Sequence, residues 1–324
     1  MDKRIINWGI LGYAGIARKH VLPAMRSCAN AHLYAIASRN KEKLDEAFSS
    51  FGFERTYLSY DELLEDPKVD AVYIPLPNRL HKEWVMKAAK HKKSILCEKP
   101  LSLSADDCKE MIDIAKENHV FLMEAFMYRF TNRTQKLKEL LSSKVIGDIK
   151  TIKSSYRFYM DSFETNDIRL NKDLAGGALH DVGCYPINLL GMITGKIPTK
   201  IKAVKNTYQG VDTSLSAILK YDSGIIASID CGFDSQSCLL TEISGTKGSI
   251  IMRDSFLDTD APIVAVMNST GKLTKYEIPV SARYEDEVQA VTKAILSGSK
   301  ELLPWEESVK NNQLIADILA IAEE

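Results

Sequence analysis

The sequence predicts an α/β domain built on a doubly wound parallel sheet, followed by an α+β domain whose sheet is open and mostly antiparallel. Three observations carry this. The first third alternates short apolar runs with amphipathic helical stretches, which implies a parallel sheet covered by helices on both faces. A turn of small residues, "GILGYAGIA", joins the first apolar run to the first helix. After about residue 125 the pattern becomes a period-two alternation, as in "DIKTIKSSYRFYM", which marks strands with one covered face.

Taken in order, "RIINWGIL" is a strand and "GIARKHVLPAMRSC" a helix. "AHLYAIAS" is the next strand, and "NKEKLDEAFSSFG" a helix stopped by Gly52. "TYLSYDELLED" carries a short helix, and "DAVYIPLP" and "KSILCEKP" are strands on either side of the helix "NRLHKEWVMKAAKHK". In "SADDCKEMIDIAKENH" the Ser104 hydroxyl is placed to accept an orphan N–H at the helix start. "VFLMEAFMYRF" begins as a strand. The helix "TQKLKELLSS" follows, then the alternating runs "TKIKAVKNTYQG", "SLSAILKYDSG", "IIASIDCGF" and "CLLTEISGTKGSIIM". Two helical stretches, "RYEDEVQAVTKAIL" and "ESVKNNQLIADILAIAEE", close the chain.

A chain of 324 residues is long enough for two domains. The boundary is expected at 1–123 for the first and 124–324 for the second, with the C-terminal helix free to pack back on the first. There are 42 basic and 43 acidic side chains, a formal net charge of −1, which argues against a nucleic-acid or membrane-surface partner. The six cysteines (Cys28, Cys97, Cys108, Cys184, Cys231, Cys238) form no C-x-x-C pair. They read as reduced thiols of a cytoplasmic protein, with neither a disulfide frame nor a metal site expected. No segment has the length and apolarity of a signal-peptide core or a membrane span.

Aligned to G-x-G-x-x-G/A, the turn gives Gly12, Ala14 and Ala17. The first position allows the tight turn, the second lets backbone approach a pyrophosphate, and the third packs helix on strand. A strand-turn-helix needs small residues in any case. Placed inside a run of strand-helix units, this one points to a Rossmann-type dinucleotide site. A bare ribose is usually held by an acid at the end of the second strand. Here that end reads "AIASRNKEK", with no acid at Ser38 or Arg39. A guanidinium beside a hydroxyl suits a 2′-phosphate, so NADP is expected in preference to NAD, although Arg39 is also compatible with a solvated loop.

Ligands of open parallel sheets bind beyond the carboxyl ends of the strands. "PLPNRLH" follows one such end, with Asn78 at a helix start and His81 one turn in. "CEKP" follows the next, where Glu98 and Lys99 are either a surface ion pair or a group set over the cofactor ring, its direction fixed by Pro100. Pro100 also invites a cis bond. Contacts to the cofactor are expected from Gly12, Tyr13, Ala14, Gly15, Ile16, Ser38, Arg39, Lys43, Tyr60, Pro75, Leu76, Asn78, His81, Glu98 and Lys99. In "DIRLNKDLAGGALHDVGCYPI", Gly176-Gly177 make a close-approach turn before a helix starting near Ala178. Asp181 and Tyr185, four apart, share one face of it and form an acid/base candidate, while His180 points off that face. Pro186 predicts a kink or shift in that helix. Arg129 and Arg169 are candidate substrate contacts, with "FMYRF" equally a core stripe carrying one solvated arginine.

Together, "ILGYAGIA", "YDELLEDPKVDAVYIPLPNRLHKEW", "CEKP", "EAFMYRF" and "AGGALHDVGCYPI" resemble the glucose-fructose oxidoreductase/inositol dehydrogenase (Gfo/Idh/MocA) family over nearly the whole chain. The tyrosine of "DVGCY" is similar to the branch of dihydrodiol dehydrogenases, D-xylose dehydrogenases and glucose-fructose oxidoreductase. The inositol dehydrogenase branch usually has histidine there. The resemblance implies that Lys99 is catalytic, lies near the nicotinamide and is faced by Asp181 and Tyr185, with Glu98 contacting the cofactor. It implies hydride transfer between NAD(P) and a hydroxyl of a sugar, polyol or diol, in a homodimer or homotetramer joined through the second-domain sheet. Some such proteins bind the dinucleotide as regulators without turnover, which is the alternative reading. Reduction of a tetrapyrrole imine or a keto acid on the same fold is a third.

Overall fold

A computed structural model describes residues 4–161, 167–258, 263–268 and 270–324. The chain divides into one unit of residues 1–127 with 284–309 and another of 128–283 with 310–324.

In the first unit, strands β1 (Ile6–Leu11), β2 (Ala31–Ala37), β3 (Arg55–Tyr57), β4 (Ala71–Ile74), β5 (Ser94–Glu98) and β6 (Leu122–Ala125) form one sheet in the order β3-β2-β1-β4-β5-β6. Every pairing is parallel. Both faces are covered, so the strands read as unbroken apolar runs; all four residues of β4 are buried. The order reverses between β1 and β4, which sets the ligand crevice at their carboxyl ends. Helices α1 (Leu22–Ser27), α2 (Lys41–Phe51), α3 (Tyr60–Glu65), α4 (His81–Lys90) and α5 (Ala105–Glu117) alternate with the strands. Their ends follow from local chemistry. The Ser104 hydroxyl accepts from the Asp107 N–H at 3.1 Å, and Gly52 stops α2 in the left-handed region at φ 71°. β3 is only three residues long and partly exposed, too short to announce itself in the sequence.

The second unit begins with α6 (Asn132–Ser142) and β7 (Ile149–Tyr159), followed by α7 (Cys184–Thr194). Then come β8 (Lys200–Tyr208), β9 (Val211–Lys220), β10 (Ile226–Gly232), β11 (Asp234–Gly245), β12 (Gly248–Arg253), β13 (Ile263–Asn268) and β14 (Leu273–Glu277). The eight strands run β14-β13-β12-β11-β7-β10-β9-β8. All neighbours are antiparallel except β7 and β10, which pair parallel near the centre. On β9, Leu215, Ala217 and Leu219 are buried while Ser216, Ile218 and Lys220 are exposed, the alternation of a sheet covered on one face. The turn before α7 lies close on the covered face: a Cβ on Gly183 would stand 2.8 Å from the Cys231 sulfur. At the β8 edge, the Lys205 N–H donates to the Glu323 carbonyl at 2.8 Å and the Glu323 N–H to the Ala203 carbonyl at 3.2 Å. The C-terminal tail thereby covers backbone groups an edge strand would leave open.

The disturbance expected from Pro186 is present. Pro186 is the third residue of α7 and has no N–H to give, and the turn ahead of it, Leu179–Gly183, is π-helical. A second π-helical turn, Ala17–Val21, leads into α1. Helices α8 (Arg283–Leu296) and α9 (Trp305–Ile321) end the chain; α8 lies almost wholly in the first unit.

Candidate active site

In the first unit the glycine turn, the end of β2 and the start of α3 come together. Gly12 adopts φ +103°, a conformation that an L side chain rarely takes. A Cβ there would stand 3.0 Å from Leu76 Cδ2 and 3.5 Å from the Tyr60 hydroxyl. Gly15 is exposed, and a Cβ on it would meet nothing within 4 Å, so its backbone is approachable. The Arg39 guanidinium, exposed at the end of β2, is close enough to the Tyr60 hydroxyl to act on it electrostatically. Burial raises the Tyr60 phenol above its ordinary value, and Arg39 pulls it the other way. Ser38 is buried and its hydroxyl accepts from the Asn40 N–H at 3.2 Å. Lys43 is exposed in the first turn of α2. Tyr13 turns toward α2, edge-on to Phe51 at 6.3 Å, with its hydroxyl donating to Glu46 at 3.4 Å.

Beyond β4 lie Pro75, Leu76 and Asn78, the last opening a single 3₁₀ turn before α4. His81 is fully buried, its Nδ1 2.8 Å from the Pro100 carbonyl and its Nε2 2.8 Å from the Leu76 carbonyl. Its ring therefore ties the loop after β4 to the loop after β5, and burial lowers its basicity against the pull of those carbonyls. The Lys99–Pro100 bond is cis. Glu98 is held from below: the Tyr73 hydroxyl donates to its Oε1 at 2.6 Å and the Lys99 N–H to its Oε2 at 3.3 Å. Burial first, and Glu98 second, push the Tyr73 phenol far up, so it stays a donor. The Leu101 N–H donates to buried Glu124 on β6 at 2.8 Å. Tyr73 and Glu124 support this edge and escaped the sequence reading, because an isolated polar residue in an apolar run carries no pattern.

The second unit builds its site on the turn before α7. Arg169 Nε donates to Asp181 Oδ2 at 2.6 Å and its Nη1 pairs with Asp167 at 3.2 Å. The nearby Asp181 carboxylate, ahead of the opposing burial, holds Arg169 firmly charged. The Gly176-Gly177 turn is a close approach as expected. A Cβ on Gly176 would fall 2.4 Å from the Arg169 carbonyl, and one on Gly177, at φ +108°, 2.1 Å from Asp212 Oδ1. Asp212 Oδ2 also accepts from the Leu179 N–H at 2.7 Å, fixing the helix start. His180 Nδ1 lies 3.1 Å from the Gly176 carbonyl. Tyr185 is buried in an aromatic wall, with ring centroids 5.3 Å from Tyr156, 5.6 Å from Phe256 and 6.1 Å from Tyr128. Arg129 is buried, not solvated: its Nη1 donates to Asn188 Oδ1 at 3.1 Å, and the Tyr128 hydroxyl donates to the same oxygen at 2.6 Å. Asn188 and Asp212 are supports that local pattern missed. Among the described residues no helix is long and apolar enough to cross a membrane.

Residues 6–126 match the oxidoreductase family with an NAD-binding Rossmann fold, and residues 134–251 match the GFO/IDH/MocA C-terminal domain. The chain is similar to D-xylose 1-dehydrogenase (NADP(+)) 2 of Haloferax volcanii, 36% identical over 98% of this chain and 97% of that one. It is 31% identical to trans-1,2-dihydrobenzene-1,2-diol dehydrogenase of Xenopus laevis, over 96% and 95% of the two chains. Among solved structures it is similar to a 3-ketoreductase of Actinomadura kijaniata in complex with NADP and TDP-benzene, with TM-score 0.91, 29% identity and coverage of 99% and 98%. That reductase is also solved with a tyrosine replaced by phenylalanine and with a lysine replaced by alanine. The chain belongs to the Gfo/Idh/MocA family of oxidoreductases, with both its Rossmann and its C-terminal domain.

Proposed function

We propose that this protein is an NADP-dependent dehydrogenase that transfers a hydride between the cofactor and a CH–OH carbon of a small sugar, polyol or diol. One observation carries the reading: the chain keeps a lysine at the carboxyl edge of a dinucleotide-binding sheet together with an acid and a phenol at one helix start. A regulator that only binds the dinucleotide has no use for a proton-transfer set. The dehydrogenases and the ketoreductase it resembles act in this chemistry, and a tyrosine and a lysine are the residues substituted in the ketoreductase variants.

NADP, when bound, supplies the hydride acceptor. Gly12 and the approachable Gly15 backbone fit its pyrophosphate, and Arg39 with Tyr60 fits its 2′-phosphate. Tyr185 gives or takes the proton of the substrate hydroxyl. A phenol that titrates near ~10 is a poor base at neutral pH, and the Lys99 ammonium stabilises the phenolate or alkoxide oxygen. Asp181, steadied by Arg169, orients the hydroxyl being oxidised. Arg39→Asp is expected to move the ratio of catalytic efficiencies toward NAD; an unchanged ratio removes Arg39 from this role.

The uncovered face of the second sheet is the proposed contact between copies of the chain. It exposes Val204, Ile218, Ile226 and Tyr159, each about half or more accessible, beside a shallow groove of about 580 Å³ lined in part by Ile201, Val204, Ile218 and Ile321. Sedimentation velocity should return a dimer or tetramer. The six cysteines, all free thiols, support a cytoplasmic setting. The deciding experiment is a steady-state assay with NADP over a panel of sugars, polyols and diols. Turnover on one class is the expected result; tight cofactor binding without turnover favours the regulator.

A further inference from the structure

The loop that leaves β5 carries Lys99 and offers few backbone donors. The Lys99 N–H turns back to Glu98 at 3.3 Å, and Pro100 has no N–H to give. The first N–H beyond them belongs to Leu101, which is buried. It is met from the neighbouring strand: the carboxyl of Glu124, on β6 opposite Cys97, accepts it at 2.8 Å. All four residues of β6 are buried, and burying a carboxyl costs free energy unless a hydrogen bond offsets it. An apolar residue would pack there without that cost, so Glu124 is placed for what it holds.

What it holds is one end of a single peptide group. The other end, the Pro100 carbonyl, lies 2.8 Å from His81 Nδ1 on α4. His81 is itself fixed, its Nε2 2.8 Å from the Leu76 carbonyl after β4. The Pro100–Leu101 peptide is thus gripped from the β4 side at its carbonyl and from the β6 side at its N–H. A planar group held at both ends has little freedom to turn. The residue directly ahead of it is Lys99, half-buried. Each half of a doubly wound sheet takes one mononucleotide. The β1-β2-β3 half carries Arg39 and Tyr60, which suit the adenine side with its 2′-phosphate, and the Lys99 loop follows a strand of the other half.

We propose that Glu124 is a positioning residue for Lys99: by holding the Leu101 N–H it fixes the direction of the Lys99 side chain. The proposal rests on the catalytic reading of Lys99 above. Glu124→Met should lower turnover about tenfold or more in the natural chain, but less than about twofold when Lys99 is already replaced by methionine. Glu124→Gln, whose amide oxygen still accepts from Leu101, should keep most of the natural turnover. A second readout needs no substrate: labelling of the Lys99 amine by trinitrobenzenesulfonate, followed by peptide mass spectrometry against the exposed Lys68. Glu124→Met should speed it about threefold or more, and Glu124→Gln should not. In the natural chain the Leu101 amide should exchange its hydrogen as slowly as the amides of β5; fast exchange overturns the proposal and needs no variant that folds. So does an equal fall in turnover with and without Lys99, a Lys99 labelling rate that does not rise, or a Glu124→Gln chain that behaves as Glu124→Met. Faster labelling in a protein with no turnover on any substrate keeps this proposal and removes the catalytic one.

Discussion

The two candidate sites differ in how open they are. Around Tyr185 in the second unit, polar side chains are tied to one another: Tyr128 and Arg129 share Asn188, Arg169 is paired to Asp181 and Asp167, and Asp212 takes the N–H that starts the helix. At the carboxyl edge of the first unit, the Gly15 backbone faces open space. Such a network holds the proposed reacting group in one geometry before substrate arrives. An open edge gains stability from a ligand that binds it. The difference agrees with the proposed division, in which the first unit binds the cofactor and the second orients the proposed proton-transfer group.

The sharpest way to break this division is to remove one reacting group from each unit. Lys99→Met and Tyr185→Phe should each lower turnover about 100-fold or more, with NADP+ affinity largely kept. If both serve a single proton transfer, the double variant should be little slower than the slower single one. Losses that multiply in the double variant would show independent roles, and near-normal turnover in either single variant would remove that residue from the mechanism.

The next largest effect concerns the closed network. Asn188→Leu leaves the Tyr128 hydroxyl and the Arg129 guanidinium buried without their shared acceptor. Each such loss costs about 1–3 kcal/mol, so urea unfolding should show a destabilisation of about 2–3 kcal/mol. An unmoved midpoint would mean that Asn188 supports nothing.

How much of this was legible depended on the distance over which each signal acts. Ser104 and Gly52 speak through neighbours within one turn, and the structure uses both as the sequence implied. The disturbance at Pro186 was legible for the same reason, although its form, a π-helical turn, was not. The absence of an acid after β2 pointed to Arg39, which stands close enough to another expected cofactor residue, Tyr60, to act on it electrostatically. Period-two alternation gave the second sheet but not its one parallel pair, since alternation is the same in either strand direction. β14 went unseen, because its exposed, lysine-bearing strand lacks a covered face to impose a pattern. Asn188 and Asp212 could not be found locally: their partners lie 59 and 33 residues away. A polar residue inside "CYPINLLGMI" is a flag, but its meaning depends on which chain segment folds against it.

Glu287 sharpens the comparison from the first unit. Its carboxyl is raised in the folded chain by burial and by Glu98. Between the ordinary value, near ~4.3, and the raised folded value, the native state binds one more proton than the unfolded chain. Stability therefore falls as pH rises through that window. Glutamine has no such proton. Relative to the natural chain, Glu287→Gln should gain up to about 1.4 kcal/mol per pH unit above that lower bound. Urea midpoints at pH 5, 6, 7 and 8 measure this. Parallel curves would mean that burial does not raise the Glu287 carboxyl in the fold.

The smallest expected effect separates two glycines three residues apart. Gly12→Ala places a side chain at φ +103° and 3.0 Å from Leu76, so it should cost about 1–2 kcal/mol in folding whatever it does to binding. Gly15→Ala puts a methyl where nothing lies within 4 Å. Its folding stability should stay within about 0.5 kcal/mol of the natural chain. If the Gly15 backbone is where phosphate approaches, that methyl still weakens NADP+ and 2′-phospho-ADP-ribose alike, because both carry the pyrophosphate. A loss confined to NADP+ would place the methyl against the ring instead, and the adenine-side assignment of the first half-sheet would have to be reversed. Binding of both ligands unchanged would show that the glycine at this position serves neither fold nor cofactor, leaving Gly12 as the glycine of the turn that the structure requires.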